Sequence, residues 1–145
     1  MVDHDRLFKE LLTTFFFEFS ELFLPETAVY IARDSITFLD KEVFTDVTSG
    51  RKYEVDIVAR ARFRETDAFF ILHAENQAKA QSDFNERMFI YLGRLFEEYR
   101  LPIYPIAVFS FDEPLRPEPD TFTMEFPDFT VLTFRFRSIQ LNTLV

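Results

Sequence analysis

Two neighbouring segments in the middle of the chain alternate apolar and polar residues with a period of two, the spacing of half-buried β-strands. They cover residues 54–64 and 69–79. The alternation predicts an antiparallel hairpin that is closed by a turn near residues 65–67. A two-residue turn at 65–66 gives the register in which Asp56 lies directly opposite Glu75. This hairpin constrains the rest of the fold.

Two carboxylates that face each other across a hairpin are unfavourable unless something lies between them. The Cβ atoms of such a pair are about 4.5–5.5 Å apart, where like charges repel. Ionised carboxylates are also rarely buried without a partner. A divalent cation that bridges Asp56 and Glu75 resolves the conflict. In the metal-free protein, removing either carboxylate is expected to leave the fold as stable or slightly more stable.

Further polar side chains share the face of the acidic pair. On the second strand they recur at every other position, as His73, Glu75, Gln77 and Lys79. His73 is either a general base or a polar strand residue with a hydrogen-bond partner. On the first strand, arginines follow Asp56 at positions 60, 62 and 64. They either supply local positive charge to a bound anion or form a solvated strand face.

The two strands together resemble a known nuclease site. Asp56 followed by Glu75-Asn76-Gln77 is similar to the bipartite D…(D/E)-x-K signature of the restriction-endonuclease-like, or PD-(D/E)XK, nuclease superfamily. Gln77 stands where that signature has lysine. Residues 5–12, DRLFKELL, resemble the opening helix of a bacterial branch of transposase-like, recombination-promoting nucleases whose second motif is commonly E-x-Q.

The resemblance implies a DNA endonuclease that depends on Mg²⁺, with Mn²⁺ as the alternative ion. Asp56 and Glu75 would be the metal ligands, and Gln77 would complete the catalytic set. The lysine of the superfamily orients the attacking water, and the Gln77 amide can do so without a charge. Lys79 or Lys9 is then the candidate cation, and Gln77→Lys is expected to raise the cleavage rate. The alternative is a catalytically weak or inactive nuclease fold that serves as a binding or scaffolding module.

Periodicity outside the hairpin completes an α/β order in a single domain, residues 1–145. Apolar residues at helical spacing predict a first helix between Asp3 and Pro25 and a second between Asp83 and Pro102. Further strands are predicted at residues 36–44, 104–111 and 129–139. The resulting order is α-β-β-β-α-β with a further strand appended, in a mixed sheet flanked by helices. The α-β-β-β-α-β part is also the order of the restriction-endonuclease-like core.

Composition excludes thiolate metal sites, Gly-rich phosphate loops and membrane-spanning helices, and it argues against DNA binding. The chain has no cysteine, which rules out thiolate metal sites and favours a reducing cytoplasm, and only two glycines, too few for a Gly-rich phosphate loop. No apolar run approaches the length that spans a membrane. The net charge of −9 opposes DNA binding, because proteins that bind duplexes usually carry a basic patch.

Phenylalanine is unusually frequent, at 21 residues. The triplet Phe15–Phe17 points in nearly three directions around a helix, and the predicted apolar stripe includes Phe15 but not Phe16. Most phenylalanines are expected in a thick aromatic core, while some are expected to face a partner. The sequence also stops at an apolar segment, residues 141–145. We therefore expect a homodimer or a longer protein with a further C-terminal region.

Overall fold

A mixed α/β arrangement is present in the computed structural model, which describes residues 10, 12–39, 43–45, 52–77, 82–109 and 119–140. The strands are β1 (Thr37–Phe38), β2 (Val43–Thr45), β3 (Lys52–Glu54), β4 (Ile57–Arg62), β5 (Phe69–Gln77), β6 (Ile103–Phe109), β7 (Thr121–Phe126), β8 (Phe129–Arg135) and β9 (Arg137–Gln140). The helices are α1 (Phe16–Phe23), α2 (Pro25–Ala28) and α3 (Phe84–Tyr99), and a 3₁₀ turn covers Arg33–Ser35.

The central sheet has five strands in the order β1-β4-β5-β6-β9. Strands β1, β4 and β5 are antiparallel, whereas β5, β6 and β9 are parallel. Helix α3 connects the parallel strands β5 and β6, as such a crossover requires. The prediction of a mixed sheet flanked by helices is therefore confirmed. Two separate pairs, β2 with β3 and β7 with β8, form small two-stranded sheets.

The β4–β5 hairpin has the register that its alternation predicts. Its ladder begins at the pair Ile57 and Ala74, so Asp56 and Glu75 lie opposite one another at the next position outward. The connection, however, is longer than predicted: the Phe63 N–H donates to the Ala68 carbonyl at 2.9 Å, so four residues, 64–67, join the strands instead of two. The Thr66 N–H donates to the Phe63 carbonyl at 3.3 Å, and the ladder register is the same for either turn.

Two apolar layers cover the sheet. On one face, the first cluster contains Leu12, Phe16, Leu24, Ile31, Ile57, Ala59, Ala61, Phe70, Leu72 and Ala74. On the other face, the second cluster contains Val58, Ile71, Ala107, Phe109 and the α3 residues Phe84, Met88, Tyr91 and Leu95. Alternation along β5 therefore sends Phe70, Leu72 and Ala74 to the first layer, as predicted. The polar face of β5 lies under α3.

The N-terminal helical region differs from the predicted stripe. The predicted start near Asp3 lies outside the described residues, and α1 ends before Pro25 as expected. Phe15 is 51% exposed while Phe16 is 3% exposed, so the expected burial of Phe15 is wrong. The reason is Ser20, which is 1% exposed. The buried stripe passes through a small polar residue, which apolar periodicity does not detect.

Two predicted strands are divided. The strand expected at residues 36–44 is replaced by β1 in the central sheet and by β2, which pairs with β3. The strand expected at 129–139 is broken at Phe136 into β8 and β9. Strand β7 was not predicted. It pairs with β8 across a turn at Pro127 and Asp128, so the divided segment contributes one strand to each of two sheets.

Helix α3 lies within the predicted bounds. Asp83 stands at its N-cap without a capping side-chain hydrogen bond. At the other end, Arg100 adopts the left-handed conformation, with φ of 53°, and its N–H donates to the Phe96 carbonyl. No helix in the described ranges is long and apolar enough to cross a membrane.

Adjacent residues of α3 provide a test of the packing. Leu95 is fully buried against the sheet, while Phe96 is 50% exposed. We expect Leu95→Ala to lower the free energy of unfolding by about 2–5 kcal/mol, because it leaves a cavity in the core. Phe96→Ala should cost much less. Denaturant unfolding of both variants checks this, and equal losses would contradict the described orientation of α3.

Candidate functional site

Asp56 and Glu75 are held together by reciprocal hydrogen bonds across the hairpin. The Asp56 N–H donates to Glu75 Oε2 at 2.7 Å. The Asn76 N–H donates to Asp56 Oδ2 at 2.9 Å. Each carboxylate therefore accepts a backbone amide of the opposite strand, and the two bonds continue the β4–β5 ladder through side chains. We call this arrangement of Asp56, Glu75 and Asn76 the carboxylate clasp.

The carboxylate clasp changes the expected energetics of the acidic pair. Hydrogen bonds to ionised acceptors are stronger than neutral ones, and they offset the repulsion between the two carboxylates. Glu75 is 5% exposed, so its loss would leave the Asp56 amide without this acceptor. From sequence, removing either carboxylate was expected to leave the metal-free fold as stable or slightly more stable. With these hydrogen bonds in place, we expect the removal to lower the free energy of unfolding instead.

His73, two residues before Glu75 on the same strand face, forms a hydrogen bond with its carboxylate. The ring is fully buried, its Nε2 lies 3.0 Å from Glu75 Oε2, and its edge contacts Tyr91 with ring centroids 5.4 Å apart. Nε2 carries the proton, because a carboxylate only accepts. Nδ1 is buried and has no hydrogen-bond partner in the described part of the chain. Of the two alternatives for His73, this geometry supports the hydrogen-bonded strand residue, which orients Glu75.

Gln77 is tied to α3 by an arginine that sequence reasoning did not identify. Gln77 is 7% exposed, and its Oε1 accepts a hydrogen bond from Arg87 Nη2 at 3.2 Å. The Arg87 guanidinium also lies 5.4 Å from the centroid of the Phe84 ring. A signal for Arg87 exists in the sequence. It stands three residues after Phe84 and four before Tyr91, so it adjoins the buried stripe of α3.

The arginines of β4 contact the hairpin near its turn. Arg60 lies 4.9 Å above the centroid of the Phe69 ring, and Arg62 Nη1 donates to the Thr66 carbonyl at 2.8 Å. These contacts favour a structural function on the strand face over anion binding beside Asp56. Lys79 and Lys9, the two lysines proposed as cation sources, lie outside the described residues.

The acidic pair has the donor chemistry of a magnesium site, although the site is sparse. No group of three or more His, Cys, Asp or Glu side chains placed to hold a metal ion occurs within the described ranges. Mg²⁺ does not require such a cage, because it keeps several waters and binds through one or two carboxylates. The bonds from Asp56 and His73 both end on Glu75 Oε2. Oε1 is therefore the oxygen of Glu75 that suits a cation.

The described cavities lie away from this site. One, of about 240 Å³, is lined by Phe17, Glu21, Pro25, Ala28, Val29 and Arg64. Another, of about 70 Å³, is lined by aromatic residues that include Tyr30 and Tyr104. Burial raises the pKa of Tyr30, and neighbouring Tyr104 raises it further. Both cavities belong to the face of the sheet opposite α3, so neither adds a residue to the acidic pair.

Comparison with known proteins adds no relative. No protein-family model matches the chain, and no curated protein or solved structure is significantly similar to it. Functional inference therefore depends on the residues of the site and on the sequence resemblance.

The carboxylate clasp predicts a stability difference between two variants at one position. Asp56→Ala removes the acceptor for the Asn76 amide and should lower the free energy of unfolding by about 1–3 kcal/mol. Asp56→Asn keeps a side-chain oxygen that can accept this bond and should lose much less. Denaturant unfolding in metal-free buffer is the measurement. An Asp56→Ala variant as stable as the wild type would show that the clasp contributes nothing.

Proposed function

We propose that this chain is a Mg²⁺-dependent phosphodiesterase, a DNA endonuclease of the PD-(D/E)XK type, acting in the cytoplasm in recombination or on mobile elements. The observation that carries the proposal is the meeting of Asp56 and Glu75 at one end of a hairpin, with Gln77 next on the same face. The D…E-x-Q pattern and the order of elements in the central sheet are consistent with it. The biological setting comes from the sequence resemblance alone.

Each residue of the site has a distinct task in this proposal. Asp56 and Glu75 would hold the ion through their carboxylate oxygens. When bound, Mg²⁺ supplies an activated water and an electrophile for charge that develops on the phosphate. Gln77 orients the water or a phosphate oxygen through its amide. His73 holds the Glu75 carboxylate in place by its hydrogen bond. The carboxylate is then already oriented before the ion and the substrate bind, which reduces the entropy cost of binding.

A second candidate function is a nuclease fold that binds or scaffolds without efficient cleavage. The carboxylate clasp favours it in one respect, since both acids have structural bonds that need no metal. Gln77 in the lysine position and the net charge of −9 point the same way. Metal binding separates the two functions, because a scaffold has no use for a cation at this site.

Metal titration followed by a cleavage assay tests the nuclease proposal. We expect Mg²⁺ and Mn²⁺ to bind the wild type in calorimetry and to support nicking of supercoiled plasmid. Asp56→Asn and Glu75→Gln should each abolish both, because they remove the charge of a ligand while preserving its shape. Circular dichroism serves as the folding control.

Two results would count against the nuclease. Wild-type cleavage by either variant at saturating metal would mean that the site is elsewhere. A wild type that neither binds the metal nor cleaves would favour the scaffold.

We further propose that the chain associates with a second copy of itself through the β7–β8 hairpin. Four apolar side chains of this hairpin are exposed: Met124 42%, Phe126 58%, Phe129 58% and Val131 44%. The rings of Phe126 and Phe129 stack, with centroids 5.8 Å apart. Among the described residues, β8 pairs only with β7, so its other edge is the one proposed to accept a strand.

The exposed area is compatible with a small dimer interface. At about 200 Å² per ring, Phe126 and Phe129 together expose roughly 230 Å². A standard interface buries about 800 Å² on each partner. The two phenylalanines alone are therefore too small an interface, and a strand edge would have to contribute the remaining buried area. Pairing β8 with β8 of a second copy covers both in one two-fold arrangement. The Phe15–Phe17 triplet is less suited, because Phe16 is buried.

Sedimentation velocity over a concentration series tests the dimer. The wild type should sediment as a dimer at high concentration, and Phe126→Ser combined with Phe129→Ser should shift it to monomer. Phe15→Ser combined with Leu22→Ser is the matched control, since both residues are also exposed but lie away from the hairpin, Phe15 at the N-cap of α1 and Leu22 within α1. A wild-type monomer throughout, or dissociation by the control alone, would contradict this interface.

A further inference from the structure

The Gln77 amide is held in one orientation by Arg87. The two ends of a glutamine amide differ chemically, since one only accepts and the other only donates hydrogen bonds. A guanidinium has donors and no acceptor. The atom of Gln77 that lies 3.2 Å from Arg87 Nη2 must therefore be the carbonyl oxygen, Oε1. The assignment of the Oε1 and Nε2 positions, which is usually ambiguous for a glutamine amide, is determined here by the hydrogen-bond partner.

This orientation determines what Gln77 offers to anything bound on its face. With Oε1 engaged by Arg87, the amide NH₂ is the part that remains for other partners. Gln77 is 7% exposed, so little room exists for the side chain to turn over. A lysine at this position would also present only donors. The glutamine thus reproduces the hydrogen-bonding polarity of a lysine, while the charge resides on Arg87.

We propose that Arg87 is a positioning residue that converts Gln77 into a donor-only group, and that the pair together replaces the lysine of the D…(D/E)-x-K pattern. The orientation of the amide follows from the contact itself. Its catalytic consequence, donation to the attacking water or to a phosphate oxygen, rests on the proposed nuclease function. Arg87 acts from the second turn of α3, so the helix as well as the hairpin builds the site.

The proposal reverses one expectation from the resemblance. Gln77→Lys was expected to raise cleavage by restoring a cation. With Arg87 at hydrogen-bond distance, the new ammonium would meet a like charge in a poorly hydrated position, which destabilises the charged form. Gln77→Lys should therefore be harmful while Arg87 is present. It should become tolerable when Arg87 is replaced by a residue that can accept, as in Gln77→Lys with Arg87→Gln.

The test is a double-mutant cycle with two readouts. The variants are Gln77→Lys, Arg87→Gln and their combination, together with Arg87→Lys, which keeps a donor-only partner, and Arg94→Gln as a control elsewhere on α3. The first readout is the midpoint of denaturant unfolding without metal. Gln77→Lys should lower the midpoint in the Arg87 background, and the combination should restore most of the loss. Additive effects in this readout would overturn the proposed contact, whatever the protein catalyses.

The second readout is plasmid nicking with Mg²⁺ or Mn²⁺. Arg87→Gln removes the donor-only partner that fixes the polarity of the Gln77 amide and should lower cleavage by about tenfold or more, whereas Arg87→Lys should retain most of it. Arg94→Gln should match the wild type. Faster cleavage by Gln77→Lys with Arg87 in place would overturn the proposal. If the wild type does not cleave, the nuclease function fails, and the unfolding cycle alone decides whether Arg87 orients Gln77.

Discussion

The two hydrogen bonds of the carboxylate clasp, from the Asp56 N–H to Glu75 and from the Asn76 N–H to Asp56, are the interaction on which the site depends. Each carboxylate accepts the backbone amide of the opposite strand, at 2.7 Å and 2.9 Å. These bonds extend the hairpin ladder by one further pair and hold the two negative charges close together. An acidic pair whose repulsion would be expected to destabilise the hairpin is thereby part of its hydrogen-bonded structure. The same geometry brings two carboxylate groups to one end of the hairpin.

Helix α3 packs over the sheet face on which this pair lies and contacts its neighbouring residues. Tyr91 contacts the ring of His73, which holds Glu75, and Arg87 holds Gln77. Three consecutive side chains on the polar face of β5 are therefore fixed by partners, and all three are less than a tenth exposed. Such preorganisation suits a catalytic site as well as a rigid scaffold. The difference between the two functions lies in whether a cation binds.

The part of the structure that follows from local pattern was predictable. Alternation along β4 and β5, together with the short turn, determines which residues face each other, so the opposition of Asp56 and Glu75 was derivable from sequence. The helical stripe of α3 was equally clear, because Phe84, Met88, Tyr91 and Leu95 recur at helical spacing. Both patterns arise from one buried face per element.

Features that depend on tertiary contacts were not predictable. The buried stripe near the N-terminus passes through Ser20, which is recognisable only once the sheet is seen to pack against it. Strand β7 was missed, and only Phe122 of its apolar residues packs against the core, while Met124 and Phe126 are exposed. Arg87 could be placed on α3 from sequence, but its contact with Gln77 requires the packing of α3 on β5. These failures concern packing partners and, for β7, the element itself.

Binding of Mn²⁺ observed by NMR tests directly whether a cation binds at the carboxylate clasp, because a paramagnetic ion broadens the signals of nearby amides. We expect substoichiometric Mn²⁺ to broaden the amide signals of Asp56, Glu75 and Asn76 first, and excess Mg²⁺ to restore them. Amides on the opposite side of the sheet, such as that of Tyr30, should be the least affected. Sharp signals at Asp56 and Asn76 throughout the titration, or broadening centred elsewhere, would contradict a metal site at the carboxylate clasp.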